Sequence, residues 1–203
     1  MQRRDTGVGA FTLQAVMWAA LLCSGLLIGA NAHAEDGYDL WLRYQPLANA
    51  AQLRDSASQL VVVGDSPTLH AARDELARGL QGLLGRTPPR VDAVTQDGAI
   101  VLGAASAPQI AALKLDTGQL GRDGYLIRSA EVHGHRITAI VGGSDLGVLY
   151  GTFHMLRLLQ TGQSLAALDV RASPRLQLRM LNHWDNLDGL VERGYAGASL
   201  WNW

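Results

Sequence analysis

The chain has 203 residues, with 17 Lys and Arg against 18 Asp and Glu, one cysteine and 48% apolar residues. That length suits one ordinary domain, or one domain with part of a second. The near-neutral balance excludes the clustered positive charge of a nucleic-acid footprint, and the apolar content is too high for a disordered chain.

In chain order, the first segment reads as a leader. Arg3 and Arg4 open a short positive stretch, residues 15–28 are apolar and uncharged, and Ala32-His33-Ala34 places small residues at −3 and −1 of a cleavage site. Residues 10–30 are nearly long enough to act as a membrane anchor. The small-residue exit and the polar Glu35-Asp36-Gly37 that follows favour cleavage instead. Residues 1–34 are therefore expected to be a signal peptide, and the protein to be exported to the periplasm or beyond, with no membrane association once cleaved. Cys23 does not fit a lipoprotein signal, because bulky Leu22 precedes it. It leaves with the leader, so the remainder has no thiol, no disulfide and no cysteine-ligated metal.

Residues 60–63 form a β-branched run ending in Gly64-Asp65-Ser66-Pro67, the pattern of a buried strand and a turn. Leu69, Ala72, Leu76, Leu80 and Leu83 recur at helical spacing up to Gly85, which predicts a helix over 68–84. Residues 99–102 read as a strand, 108–115 as a short helix, and 124–132 with 136–141 as a hairpin around His133-Gly134-His135. Ser144 or Asp145 caps a third helix running to about Gln160, with Leu146, Leu149, Phe153, Leu156 and Leu159 on its expected apolar stripe. A loop and a short strand fill 161–173. The order β-α-β-α-β-β-α predicts an α/β fold, a mixed sheet with covering helices. Pro174 divides this domain, 35–174, from residues 175–203, which hold a strand-like stretch over 175–182 and three tryptophans.

Several motifs have a plain structural reading beside a chemical one. Gly64-Asp65-Ser66 resembles the nucleophile turn of a GDS-type esterase, yet the Asp-x-x-His partner that such an enzyme needs is missing, and a strand-to-helix turn explains the residues better. His133 and His135 lack further ligands placed by the sequence, so no metal is expected there. Gly142-Gly143-Ser144-Asp145 lacks a P-loop lysine and a dinucleotide spacing, and reads as the start of a helix. Asn182-His183-Trp184-Asp185-Asn186 stands apart. A polar and aromatic cluster directly after a strand is where barrel sites are built, and a tryptophan among hydrogen-bonding side chains suits a sugar ring.

The run LRMLNHWDNLDG over 178–189, followed by VERGYAGASLW over 191–201, resembles the opening of the catalytic barrel in family 67 α-glucuronidases. EDGYDLWLRY over 35–44 and GVLYG over 147–151 are similar to that family's N-terminal domain. The resemblance implies a non-catalytic α/β domain over 35–174 and the first strand and loop of a truncated (β/α)8 barrel over 175–203. It implies an inverting glycoside hydrolase that removes (4-O-methyl)glucuronic acid from xylo-oligosaccharides without a cofactor. Trp184 transfers as a sugar platform, with His183, Asp185 and Asn186 as neighbours. The acid and base carboxylates are expected beyond Trp203, so Asp185, Asp188 and Glu192 are not promoted to catalysts, and the chain alone is expected to be inactive. The family-type homodimer does not follow from this part of the chain. The alternatives are a stand-alone carbohydrate-binding or interaction module and, further off, the esterase. N-terminal sequencing of the exported product should begin at Glu35; an apolar segment retained in the membrane fraction would instead mark an anchor.

Overall fold

The computed structural model describes residues 43–165 and 167–180, and every element below belongs to the unit that starts at Tyr44. A short helix α1 (Ala50–Leu53) and a 3-10 turn (Arg54–Ala57) lead into strand β1 (Gln59–Val63). Then follow helix α2 (Pro67–Leu84), β2 (Ala99–Ala104), the single turn α3 (Pro108–Ala111), β3 (Tyr125–Val132), β4 (His135–Gly142), α4 (Asp145–Gln160) and β5 (Asp169–Ala172). The strands make one five-stranded sheet in the order β1-β2-β4-β3-β5. Strands β1, β2 and β4 are parallel, whereas β3 runs antiparallel to both β4 and β5. The mixed α/β sheet is thus as the residue pattern predicts, with β5 as the short strand expected after the last helix.

Helix α2 shows why the pattern was readable. The Ser66 hydroxyl accepts from the Leu69 N–H at 3.2 Å, Pro67 occupies the first helical position, and the chain turns left-handed at Gly85. Its whole predicted stripe, Leu69 to Leu83, is buried. Each such leucine withdrawn from water contributes roughly 1.5–3 kcal/mol before entropy is counted. The hairpin closes through a two-residue turn at His133-Gly134, with φ of 49° and 82°. Positive φ at both positions gives the twist that a two-residue hairpin needs. His135 is therefore the first residue of β4, paired with Val132, and not part of the turn. The helix predicted over 108–115 stops at Ala111; Lys114 is left-handed at φ 51°, and Leu113 and Leu115 pack onto the sheet from a loop.

Alternation along the strands separates two faces. Leu60, Ile100, Leu102, Ile127 and Ile140 pack beneath both long helices, α2 and α4. Val61, Val101, Leu126, Ala139 and Val141 point the other way, under Ile110 of α3, Leu120 and neighbouring loops.

Helix α4 departs from the stripe expected for it. Gly147, Val148, Gly151, Thr152, Met155, Leu156 and Leu159 are buried, Leu146 and Leu149 are only partly so, and Phe153 is 37% exposed. Backbone contact decides the rotation. A Cβ on Gly147 would overlap the carbonyl oxygen of Gly124, and one on Gly151 would lie 2.8 Å from Ile140 Cγ2. Glycines carry no apolar weight in a periodicity argument, yet here they mark the side that comes closest to the sheet. Thr152, on the same side, satisfies its hydroxyl by donating to the Val148 carbonyl at 3.0 Å.

Beyond β5, residues 175–180 form no strand, and Leu176, Leu178 and Met180 are exposed. The remainder of the expected barrel strand and the leader lie outside the described residues. Among the described residues, no helix is long and apolar enough to cross a membrane. Replacing Gly147 with alanine tests the close contact. Helix propensity alone would add about 1 kcal/mol of stability, whereas overlap with Gly124 should cost about 1–3 kcal/mol. A lowered urea midpoint is expected, and an unchanged or raised one would refute the contact.

Candidate functional site

The parallel strands β1, β2 and β4 end at one edge of the sheet, at Val63, Ala104 and Gly142, and β5 ends there too, because Tyr125 of β3 pairs with both Gly142 and Ala172. In open α/β sheets ligands bind outside the carboxyl ends of the strands. This is also the edge from which the chain runs on toward Asn182, His183, Trp184, Asp185 and Asn186. Those five residues lie outside the described part.

Most of the groups that the motifs bring to this edge are committed to structure. The Ser66 hydroxyl caps α2. Beside it, His70 Nε2 lies 2.7 Å from Asp65 Oδ1, with both side chains open to solvent. Among the described residues no hydrogen bond joins Ser66 to a base, as acyl transfer requires. The Gly143 N–H donates to the Gly124 carbonyl at 2.9 Å, and the Gly142 carbonyl accepts from Ala105 at 2.8 Å. The Ser144 carbonyl accepts from Val148 at 3.1 Å, so the glycine pair serves the start of α4. Asp145 in the first turn suits the positive end of the helix dipole. His133 sits in the hairpin turn, and among the described residues no three side chains are grouped to hold a metal.

Two polar constructions were not visible in the sequence. On the first, Arg179 Nη2 lies 2.6 Å from Asp123 Oδ2 and 3.4 Å from the Tyr150 hydroxyl, and its guanidinium stands 5.6 Å from the centre of the Tyr150 ring. Close by, Tyr125 and His154 Nδ1 share a hydrogen bond of 2.8 Å, with the rings edge to face. Burial and, secondly, Arg157 push His154 below the ordinary histidine value, and burial raises Tyr125. The partners stand far apart in the chain, so no local spacing could announce them.

The second construction lies at the opposite, amino-terminal edge. A cleft of about 920 Å³ is lined by Asp55, Arg86, Asp97, Glu131 and Arg136 with several serine, threonine and small apolar residues. Arg136 donates from its backbone and its Nε to the two carboxylate oxygens of Asp97, at 3.1 and 2.9 Å. Those bonds hold Asp97 below the usual carboxylate range. Among the described residues no aromatic side chain lines this cleft.

Residues 40–155 match the family model described as the glycosyl hydrolase family 67 N-terminus. The chain belongs to glycosyl hydrolase family 67. Residues 158–203 match the family's middle domain, a span that includes β5, which pairs into the N-terminal sheet. A probable alpha-glucuronidase A of Aspergillus fumigatus is 32% identical over 190 residues, covering 91% of this chain and 22% of that protein. Alpha-glucuronidase A of Emericella nidulans is 31% identical over 194 residues, covering 87% of this chain and 22% of its own length. The chain thus spans about a fifth of the length of these relatives. A solved family GH115 4-O-methyl-alpha-glucuronidase with specificity for decorated arabinogalactans superposes with a TM-score of 0.40 and 21% identity, over 51% of this chain and 14% of that one.

The Tyr125–His154 pair makes a pH prediction. Folding holds His154 below its unfolded value near 6.5, so the unfolded chain binds the proton more readily. Stability from the neutral pair is fully present above about pH 6.5 and declines as pH falls from there toward the folded value. In His154→Gln this decline should be absent. The stability difference between wild type and variant, read from urea unfolding, should therefore shrink from pH 7.5 to pH 5; a constant difference would contradict it.

Proposed function

We propose that this chain is the N-terminal part of an exported α-glucuronidase that removes (4-O-methyl)glucuronic acid from decorated xylo-oligosaccharides in xylan breakdown. The observation that carries this reading is the order of two family matches along one chain, N-terminal then middle domain, over 40–155 and 158–203. On this reading the α/β unit is a support and not a catalyst. Its exposed acids are placed accordingly: Asp65 meets His70, Asp97 meets Arg136, and Asp169 meets Arg128 on the neighbouring strand. Inverting hydrolysis needs two carboxylates about 6.5–9.5 Å apart, with a water between them. Barrel enzymes hold such pairs at the carboxyl ends of different strands, in a domain of about 250 residues. Trp184 is assigned the glucuronate platform, with His183, Asp185 and Asn186 beside it. No cofactor is required for this chemistry.

The 203-residue chain should release no glucuronic acid from aldouronic acids above a buffer blank. Expressed with whatever coding sequence continues past Trp203, the protein should release it with inversion at the anomeric carbon, followed by proton NMR. In that longer protein Trp184→Ala should raise KM by about tenfold, the loss typical of one buried aromatic contact. Turnover by the short chain that vanished in Asp185→Asn or Glu192→Gln would show the catalytic residues to be misassigned.

A further inference from the structure

Among the described residues, the buried polar side chains are Ser58, Gln59, Thr138 and Thr152. Three of them are satisfied inside the protein. Ser58 donates to the Asp97 carbonyl at 2.6 Å, Gln59 exchanges bonds with Thr95, and Thr152 donates to Val148. Thr138, 5% exposed, has no hydrogen-bond partner for its hydroxyl among the described residues. Yet the only side-chain atom among them that is both partnerless and sealed from solvent is Ser144 Oγ. The Thr138 hydroxyl therefore reaches open space, and the space it lines is the cleft of about 920 Å³ at the amino-terminal edge. Buried hydroxyls are almost always hydrogen-bonded, so this one calls for a partner that enters through the cleft.

The floor of the cleft is knitted by backbone and forms without a ligand. The Ser58 N–H donates to the Gly98 carbonyl at 2.9 Å, and the Gly98 N–H to the Arg136 carbonyl at 2.8 Å. Gly98 is left-handed at φ 80°, and a Cβ there would strike the Asp55 carbonyl. Thr138 stands on β4 between Ile100 of β2 and Ser129 of β3. The cations of the lining are already engaged: Arg136 with Asp97, and Arg86 with the carbonyls of Arg54 and Ala57 at 3.2 and 3.3 Å. The carboxylates of Asp55 and Glu131 line the cleft with no hydrogen bond or ion pair among the described residues. An anion would meet free carboxylates and occupied guanidiniums. A cation gains little, because the three carboxylates of the lining stand against two guanidiniums in a place open to salt. A neutral group that both donates and accepts fits best. Its hydroxyls donate to Asp55 and Glu131 and exchange bonds with Thr138, Ser56 and Gln96.

We propose that this cleft is a binding site for a neutral polyhydroxyl ligand, a sugar ring that carries no carboxylate. Its volume lies high in the range of small-ligand sites, about 300–1,000 Å³. With no aromatic face among the described lining residues, the affinity should be roughly millimolar. The site lies at the opposite end of the sheet from the exit of the chain, and it stands whether or not the glucuronidase reading holds.

The test is a titration of the whole chain with xylose and xylotriose, followed by backbone amide shifts in NMR. Glucuronic acid and free arginine serve as charged comparisons. The neutral sugars should shift the amides of Gly98, Glu131 and Thr138 and saturate near the expected affinity, and both charged compounds should bind more weakly. Thr138→Val keeps the shape and removes the hydroxyl. It should weaken binding about threefold to tenfold, the loss expected for one hydrogen bond. Its urea midpoint should stay level or rise, because a partnerless hydroxyl leaves with it; a lowered midpoint would show the hydroxyl satisfied inside the fold and overturn the site. Asp55→Asn and Glu131→Gln, both at the surface, should each weaken binding by a similar factor, and they keep the test decisive if Thr138→Val fails to fold. Tighter binding of xylotriose than of xylose would identify a sugar chain as the ligand, and equal binding a single ring; either upholds the site. No shift of these amides at about 100 mM xylose, a hundredfold above the expected constant, would leave Thr138 served by water alone and overturn it. Binding unchanged in all three variants would put the sugar elsewhere on the chain, and tighter binding of glucuronic acid or arginine would overturn the ligand class.

Discussion

The start of helix α4 lies in direct backbone contact with the loop that precedes β3, and much of the molecule follows from that contact. Gly143 donates to Gly124, and a side chain on Gly143 would run into the carbonyl of Gly121, as one on Gly147 would into that of Gly124. The helix can be seated there only with its glycine side down. That sets the rotation of everything after it: Val148, Thr152, Met155 and Leu159 go under, Tyr150 and His154 turn toward the β3 side, and Phe153 remains outside. The same seat brings Asp123 beside Tyr150, which is where Arg179 finds both. A second close approach, Gly79 of α2 against Leu156, keeps the two long helices packed together above one face of the sheet.

The two faces and two edges of the sheet are unequal, and the inequality bears on function. One face carries large Leu and Ile side chains under two long helices; the other carries mostly Val and Ala, with Leu126 and Ile137, under one helical turn and loops. The amino-terminal edge holds a cleft of mixed charge with no aromatic side chain among its described lining residues. The carboxyl edge holds glycine turns, helix starts and the exit of the chain. Under the proposed function the domain is a support, and at the carboxyl edge, where the chain leaves it, the glycine turns and helix starts are already committed to the fold.

Polar interactions in this fold are mostly of the kind that costs little to lose at the surface and more where water is excluded. Asp65–His70 and Arg128–Asp169 lie at the surface, the second as a cross-strand pair of β3 and β5. Tyr125–His154 is half-buried and Asp123–Arg179 is exposed on its arginine side, and each joins elements that no strand ladder joins.

Periodic side chains and turn residues made a large part of this protein readable before any coordinates. Strands β1, β2, β3 and β4, the full stripe of α2, the strand-to-helix turn before it and its stop at Gly85 all depend on neighbours within a few positions, which is the range over which spacing carries information. The family was legible for a different reason, since LRMLNHWDNLDG is a long and specific run. The inner side of α4 was not legible, because what decides it is how closely two backbones approach, and a glycine says nothing about that until its neighbour across space is known. The early end of α3 was decided likewise, by loop residues Leu113 and Leu115 that bury themselves without continuing the helix. The tie between Arg179, Asp123 and Tyr150 joins positions 29 and 56 residues apart, and only the folded sheet, by ending β5 beside the loop before β3, brings them within reach of one another.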